Sequence, residues 1–321
     1  WFTMGAGLLP GPDRLRGRFW TVRYAFIHGA MLASIFVFGW MMDLFPADRT
    51  LFGLTGFILV FTVAVLFGVI DVFFHYRVVE PAVPRPAGAI PLRQVLVAPL
   101  RDREFFRVVL CVGVWQFALY LVAPFSAIFL KEAYQVTYTH LSWSTAAGGV
   151  GGILGAFVGK MLLDRMGART LSAVALVLYS ACMLVWFFMK NEAVVLAMPW
   201  GPAVHLPQPI LALMLVNIPC GLCGALLAAC QTTLITSKAP GPNRTMAMAL
   251  YQGGISLLGA GGSIVGGYLV DAYRELFTTA PFFLRLPFGE PVTYFHVLTV
   301  LQIGILWLVL IPLHLRLREE P

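Results

Sequence analysis

GWMMD (Gly39 to Asp43) and GGYLVD (Gly266 to Asp271) each close an apolar stretch, and their likeness decides how the chain is built. Laying Asp43 on Asp271 sets an offset of 228 residues. Without a gap, Gly39 then falls on Gly267, Arg16 on Arg244 and Pro12 on Pro240. Polar residues within the two stretches coincide as well: Tyr24 meets Gln252 and His28 meets Ser256. Residues 10–75 thus repeat as 238–315, each copy a pair of apolar segments that crosses and returns. Such a repeat defines the building unit and is read before any motif. The four apolar segments between 108 and 237 lack a mate. Their counterparts would precede Trp1, so the repeat predicts about four further spans upstream, on the order of 120 residues.

Composition supports this unit. Of 321 residues 59% are hydrophobic and 12% charged, about half the charged share of a soluble domain. Mean hydropathy is +0.83. One water-facing core could not hide that much apolar surface, so the bilayer is the expected solvent. The net charge of +7 does not mark a nucleic-acid binder, since a basic patch carries that meaning only on a water-exposed domain. The five cysteines, at 111, 182, 220, 223 and 230, all lie in apolar stretches and are not read as a disulfide framework.

A window of about 20 apolar residues places eight helices at 22–42, 51–74, 108–130, 142–163, 170–189, 209–236, 246–270 and 293–314. The segment 75–107 carries six arginines and five prolines and reads as an extra-membrane linker, with a short amphipathic helix near 91–100. Of the 22 Lys and Arg, 17 fall on the side of this linker and of the C-terminus. Five lie opposite: Arg49, Lys131, Lys190, Arg274 and Arg285. Cytoplasmic loops carry the Lys/Arg excess, so the linker and the C-terminus are expected in the cytoplasm and the plasma (cytoplasmic) membrane is the expected location.

Between the fourth and fifth helices lies VGKMLLDRMGART (158–170). With the parallel repeat and the long basic linker, it resembles the major facilitator superfamily, whose cytoplasmic gate loop reads G-x-x-x-D-R-x-G-R-R. Asp164, Arg165, Gly167 and Arg169 stand in place. Lys160 takes the position of the first glycine, with Gly159 one residue early. The basic Arg16-Gly-Arg18 matches the loop before that family's fifth helix. The resemblance implies an all-α polytopic membrane protein, eight helices of a twelve-helix fold built from two pseudo-symmetric six-helix bundles. On that reading 1–74 holds the last two helices of the N-terminal bundle and 75–107 the cytoplasmic interdomain linker. The C-terminal bundle takes 108–315, and 316–321 is a cytoplasmic tail. It also implies that Asp164 and the loop arginines lock one state of a transporter, and it admits a coupling proton or sodium ion. The proton-driven drug exporters of the family carry Gly-Pro in the fifth helix; YAFIHGAMLASIFVFGWMMD here has no proline.

Polar side chains within spans are the candidate lining, because an unpaired amide costs several kcal/mol in hydrocarbon and must face a cavity or another helix. In CVGVWQFALYLVAPFSAIF (111–129), Trp115, Gln116 and Tyr120 lie between Gly113 and Pro124. In LALMLVNIPCGLCGALLAACQ (211–231), Asn217 sits beside Pro219. Gln116 and Asn217 either contact substrate or tie helices together. Tyr24, His28, Gln252 and Ser256 form a second candidate face. Gly151, Gly155 and Gly159, and Gly259, Ser263 and Gly267, are small-residue rows expected to let helices approach closely.

GGVGGILG (148–155) has neither the strand nor the acidic residue of a dinucleotide site. Pro219-Cys220-x-x-Cys223 lacks the H-x-E partner of a zinc deaminase. No nucleophile motif or metal-ligand cluster stands out, so neither an enzyme nor a cofactor is expected. The spans hold no central Asp, Glu or Lys; Asp71 and Arg23 lie near helix ends. A neutral, aromatic and amide-bearing cavity suits a small neutral polar solute moved by alternating access. The rival readings are an amphiphile or drug exporter of the same fold, and a membrane scaffold or receptor without transport.

Overall fold

The computed structural model describes residues 13–46, 54–77, 101–196, 204–238, 244–279 and 292–316. Helix α1 runs Asp13–Leu44 and α2 Gly56–His75. Helix α3 covers Arg103–Tyr134, α4 Tyr138–Met183, α5 Gln208–Lys238 and α6 Arg244–Thr279. Helix α7 is Tyr294–Ile305, continued through one π turn at Leu306–Leu310 into Ile311–Leu315. Pro312 follows that turn and has no N–H to donate, so the ladder rearranges rather than breaks.

Seven of these segments are long and apolar enough to cross a membrane, with a shorter apolar stretch at Gly29–Leu44 of α1. They stand where the hydropathy reading put the eight helices. The fold is all-α and polytopic. The expected fourth and fifth spans both stand within α4, as limbs Tyr138–Gly159 and Arg165–Phe188, and the helix is interrupted at Gly167 (φ 74°, ψ 159°). That φ is costly for any residue with a Cβ, which is why a glycine stands at the break. A short antiparallel hairpin, β1 (Ala193–Leu196) with β2 (Val204–Pro207), was not anticipated. The expected linker helix near 91–100 lies outside the described residues.

Helix ends follow from local chemistry. Asp102 caps α3 by accepting from the N–H groups of Glu104 and Phe105 at 2.9 and 3.1 Å. Gln135 ends it in the left-handed conformation (φ 51°). At α7, His296 Nδ1 accepts from the Thr293 N–H at 3.0 Å. Its Nε2 therefore carries the proton and donates to the Trp186 carbonyl at 3.1 Å.

Helices α3 to α7 share two apolar clusters. One, nearer the end that carries Arg165 and Arg169, gathers Phe105, Leu176, Leu227 and Leu306. The other, at the arginine-poor end, is aromatic: Phe129 stacks on Phe295 at 4.6 Å, and Trp186 meets the same ring edge-on at 4.5 Å. Helix α2 is different. Its apolar window has no buried residue, and at its start the Gly56 N–H donates to the Phe45 carbonyl, just after α1, at 2.7 Å.

Candidate functional site

Helices α3 and α6 run parallel, in a register that their contacts define. A Cβ built on Gly254 would lie 3.6 Å from Val109, one on Gly113 would strike Leu258, and one on Gly262 would strike the Phe117 carbonyl. Gly259 faces the Tyr120 ring at 3.1 Å. Among the glycines of α6, Gly259, Gly262 and Gly266 come closest to α3. Gly267, named in the expected row, stands one position round the helix, 3.7 Å from Phe125. Close approach of this kind needs small residues because the partner backbone occupies the space of a side chain.

The second row behaves as read from sequence. A Cβ built on Gly151 would strike the Ile218 carbonyl, one on Gly155 would stand 2.7 Å from the Leu222 carbonyl oxygen, and one on Gly159 would stand 3.0 Å from Leu226. Gly221 of α5 returns the contact against the Gly148 carbonyl. The first limb of α4 and helix α5 thus touch backbone to backbone.

On this frame the candidate lining residues separate. Trp115 is only 6% exposed and packs edge-on against Tyr179 at 4.9 Å, inside the bundle. Asn217 donates its Nδ2 to the Ser144 carbonyl at 2.8 Å, which ties α5 to α4. Gln116 is half-buried, and Tyr120 is 45% exposed. Gln252 and Ser256 are exposed on α6. By the α3–α6 register they sit closer to the arginine-rich end than Gln116 does. Tyr24 and His28 lie on described backbone of α1, but their side chains lie outside the described residues.

The gate-like loop divides in the same way. Gly167 makes the bend, Arg165 is exposed, and Arg169 Nη2 donates to the Leu315 carbonyl at the end of α7. A cation there satisfies a carbonyl that has no partner within its own helix and opposes the negative end of the helix dipole. The side chains of Asp164, Arg16 and Arg18 lie outside the described residues.

Two features escaped the sequence reading. Glu132, at the end of α3, accepts from Arg274 Nη2 at 2.7 Å and from the Tyr294 hydroxyl at 3.2 Å, which joins three helices at the arginine-poor end. Asp43, used only to align the repeat, binds the start of α4 through both carboxylate oxygens. Its position four residues after Gly39, at a helix end, was the available signal.

No curated protein matches the chain. The family model described as Major Facilitator Superfamily matches residues 108–320, from within α3 past the end of α7. The match covers well over half of the chain and falls on helices that carry the bent gate-like loop and the second copy of the repeat. This protein is therefore a multi-pass membrane transporter that belongs to the Major Facilitator Superfamily.

Proposed function

We propose that this transporter moves a small, neutral polar solute by alternating access, with the arginine-rich end in the cytoplasm. Seventeen of 22 basic residues lie on that side, in keeping with the positive-inside rule, and a plasma membrane is the natural setting. The observation that carries the solute class is the set of uncharged polar side chains left at least partly exposed on α3 and α6. It offers an amide and a phenol from α3 (Gln116, Tyr120) and an amide and a hydroxyl from α6 (Gln252, Ser256). All four are at least partly open. These groups donate and accept hydrogen bonds without net charge, so they match hydroxyl-rich or amide-rich solutes better than anions, which would call for Arg or Lys.

Trp115 and Asn217 have supporting roles on this reading, because packing and the Ser144 carbonyl already occupy them. The reading is tested with the full-length protein in proteoliposomes, by uptake of labelled sugars and nucleosides against labelled amphiphilic cations. Saturable uptake of a neutral solute, with KM raised by Gln116→Ala, is expected. Saturable transport of unrelated cations and none of neutral solutes would replace it with amphiphile export. Absence of any transport would leave a non-transporting role.

A further inference from the structure

The first turn of any helix leaves four N–H groups without intrahelical partners. In α4 those of Tyr138, Thr139 and His140 are held by side chains. Thr137, the N-cap, holds one: its Oγ1 accepts from the His140 N–H at 3.2 Å. The other two are held from α1. Asp43 Oδ1 accepts from the Tyr138 N–H at 2.9 Å, and Oδ2 from the Thr139 N–H at 2.6 Å. A carboxylate on a helix N-terminus gains from both charge-assisted hydrogen bonds and the dipole. Here the two partners are separated by 95 and 96 residues of chain and stand on either side of the long linker.

The surroundings tighten this joint. Gly39, one turn back on α1, approaches so closely that a Cβ would strike the Ser142 hydroxyl. Phe57 of α2 meets the Tyr138 ring edge-on at 5.3 Å, and Lys131 Nζ stands 3.4 Å from its centroid. The antiparallel contact continues to Leu32, 2.6 Å from a Cβ built on Gly149. It then runs out. Gly29, next on the same stripe, has no atom within 4 Å of a built Cβ, and Phe157 and Met161 of α4 are exposed. Among the described residues, the contacts that pin the two helices lie toward the arginine-poor end.

We propose that Asp43 is a latch: its bidentate grip on the first turn of α4 holds the arginine-poor side shut, and release of that grip is required for the opposite state to form. The proposal rests on the alternating-access reading above. It assigns to Asp43 a conformational role distinct from an ordinary helix cap, which would stabilise α4 without coupling it to the far end.

Amide hydrogen exchange by mass spectrometry, on the full-length protein in lipid nanodiscs, separates the two. With Asp43→Asn, exchange in 136–145 should rise on the order of tenfold, as expected when charged hydrogen bonds are lost. Exchange in 20–30 and 154–166 should fall as the arginine-rich side closes. Thr137→Ala removes the local cap alone; it should speed exchange near His140 and leave 20–30 and 154–166 unchanged. Should Asp43→Asn not fold, Asp43→Glu makes the same comparison, since its extra methylene displaces the carboxylate from the two N–H groups. A rise confined to 136–145, or no change at all, overturns the latch. The readout uses no solute, so the two readings fail separately. Exchange that shifts as described in a protein that transports nothing sinks the transport reading alone. Uptake with 20–30 and 154–166 unmoved sinks the latch alone.

Discussion

Gly155 of α4 lies so close to Leu222 of α5 that a Cβ on the glycine would stand 2.7 Å from the Leu222 carbonyl oxygen and 2.9 Å from its Cα. Both opposing atoms are backbone and cannot rotate aside. Gly155→Ala should therefore force the helices apart and cost about 1–3 kcal/mol, the usual range for overpacking. Gly224→Ala, on α5 with nothing within 4 Å, removes backbone freedom without a clash and should be neutral or slightly stabilising. Thermal unfolding of the two purified variants in the same detergent checks this. Equal melting temperatures would show that the α4–α5 contact is not close-packed.

Asn217 and Gln116 should separate by kinetics. Loss of the Asn217 bond to Ser144 should cost about 1 kcal/mol, the scale of interhelical hydrogen bonds in membranes. Asn217→Ala would then lower the melting temperature while leaving KM for the transported solute near the original value. Gln116→Ala should do the reverse. A KM effect from Asn217→Ala as large as that from Gln116→Ala would place Asn217 in the solute site.

At Gly167 the backbone, not packing, sets the cost. A φ of 74° with ψ of 159° lies outside the regions open to residues with a Cβ, so Gly167→Ala should cost on the order of 1–3 kcal/mol. It should also move Arg169 off the Leu315 carbonyl, because the bend positions both. Faster hydrogen exchange over 310–316 in this variant, matched by Arg169→Gln, is the expected result. Exchange that changes in neither variant would show that this contact does not hold the end of α7.

The Arg274–Glu132 ion pair should matter much less than its geometry suggests. At 2.7 Å it is short, but the side chains are 56% and 40% exposed, and exposed pairs are worth about 0–1 kcal/mol. Glu132→Gln should thus shift the melting temperature by only a degree or two, and less at high salt. A large, salt-independent loss would mean that the Tyr294 hydroxyl bond carries the joint instead.

Much of this protein is legible one residue at a time. Hydropathy placed every span because the cost of unsatisfied backbone in hydrocarbon admits few alternatives to long apolar helices. The small-residue row Gly151, Gly155 and Gly159 was readable from its spacing alone, since residues four apart share a helix face. The repeat of Gly39 and Asp43 as Gly267 and Asp271 exposed the building unit without any coordinates.

The tertiary structure decided what spacing leaves open, which is the neighbour a given face meets. Trp115, Gln116 and Tyr120 stand within one short stretch of α3, yet packing sent Trp115 against Tyr179 and left Tyr120 beside Gly259. Asn217 reads in sequence as either a ligand or a tie. Only the position of the Ser144 carbonyl, 73 residues away along the chain, shows that its amide bridges α5 to α4. Asp43 is the sharpest case, because a carboxylate at a helix end shows no sign in sequence of a partner 95 residues on. Local patterns report the interactions a chain makes with solvent and with its own helix. Contacts between distant segments depend on how whole helices pack, and that is set only when all of them are in place.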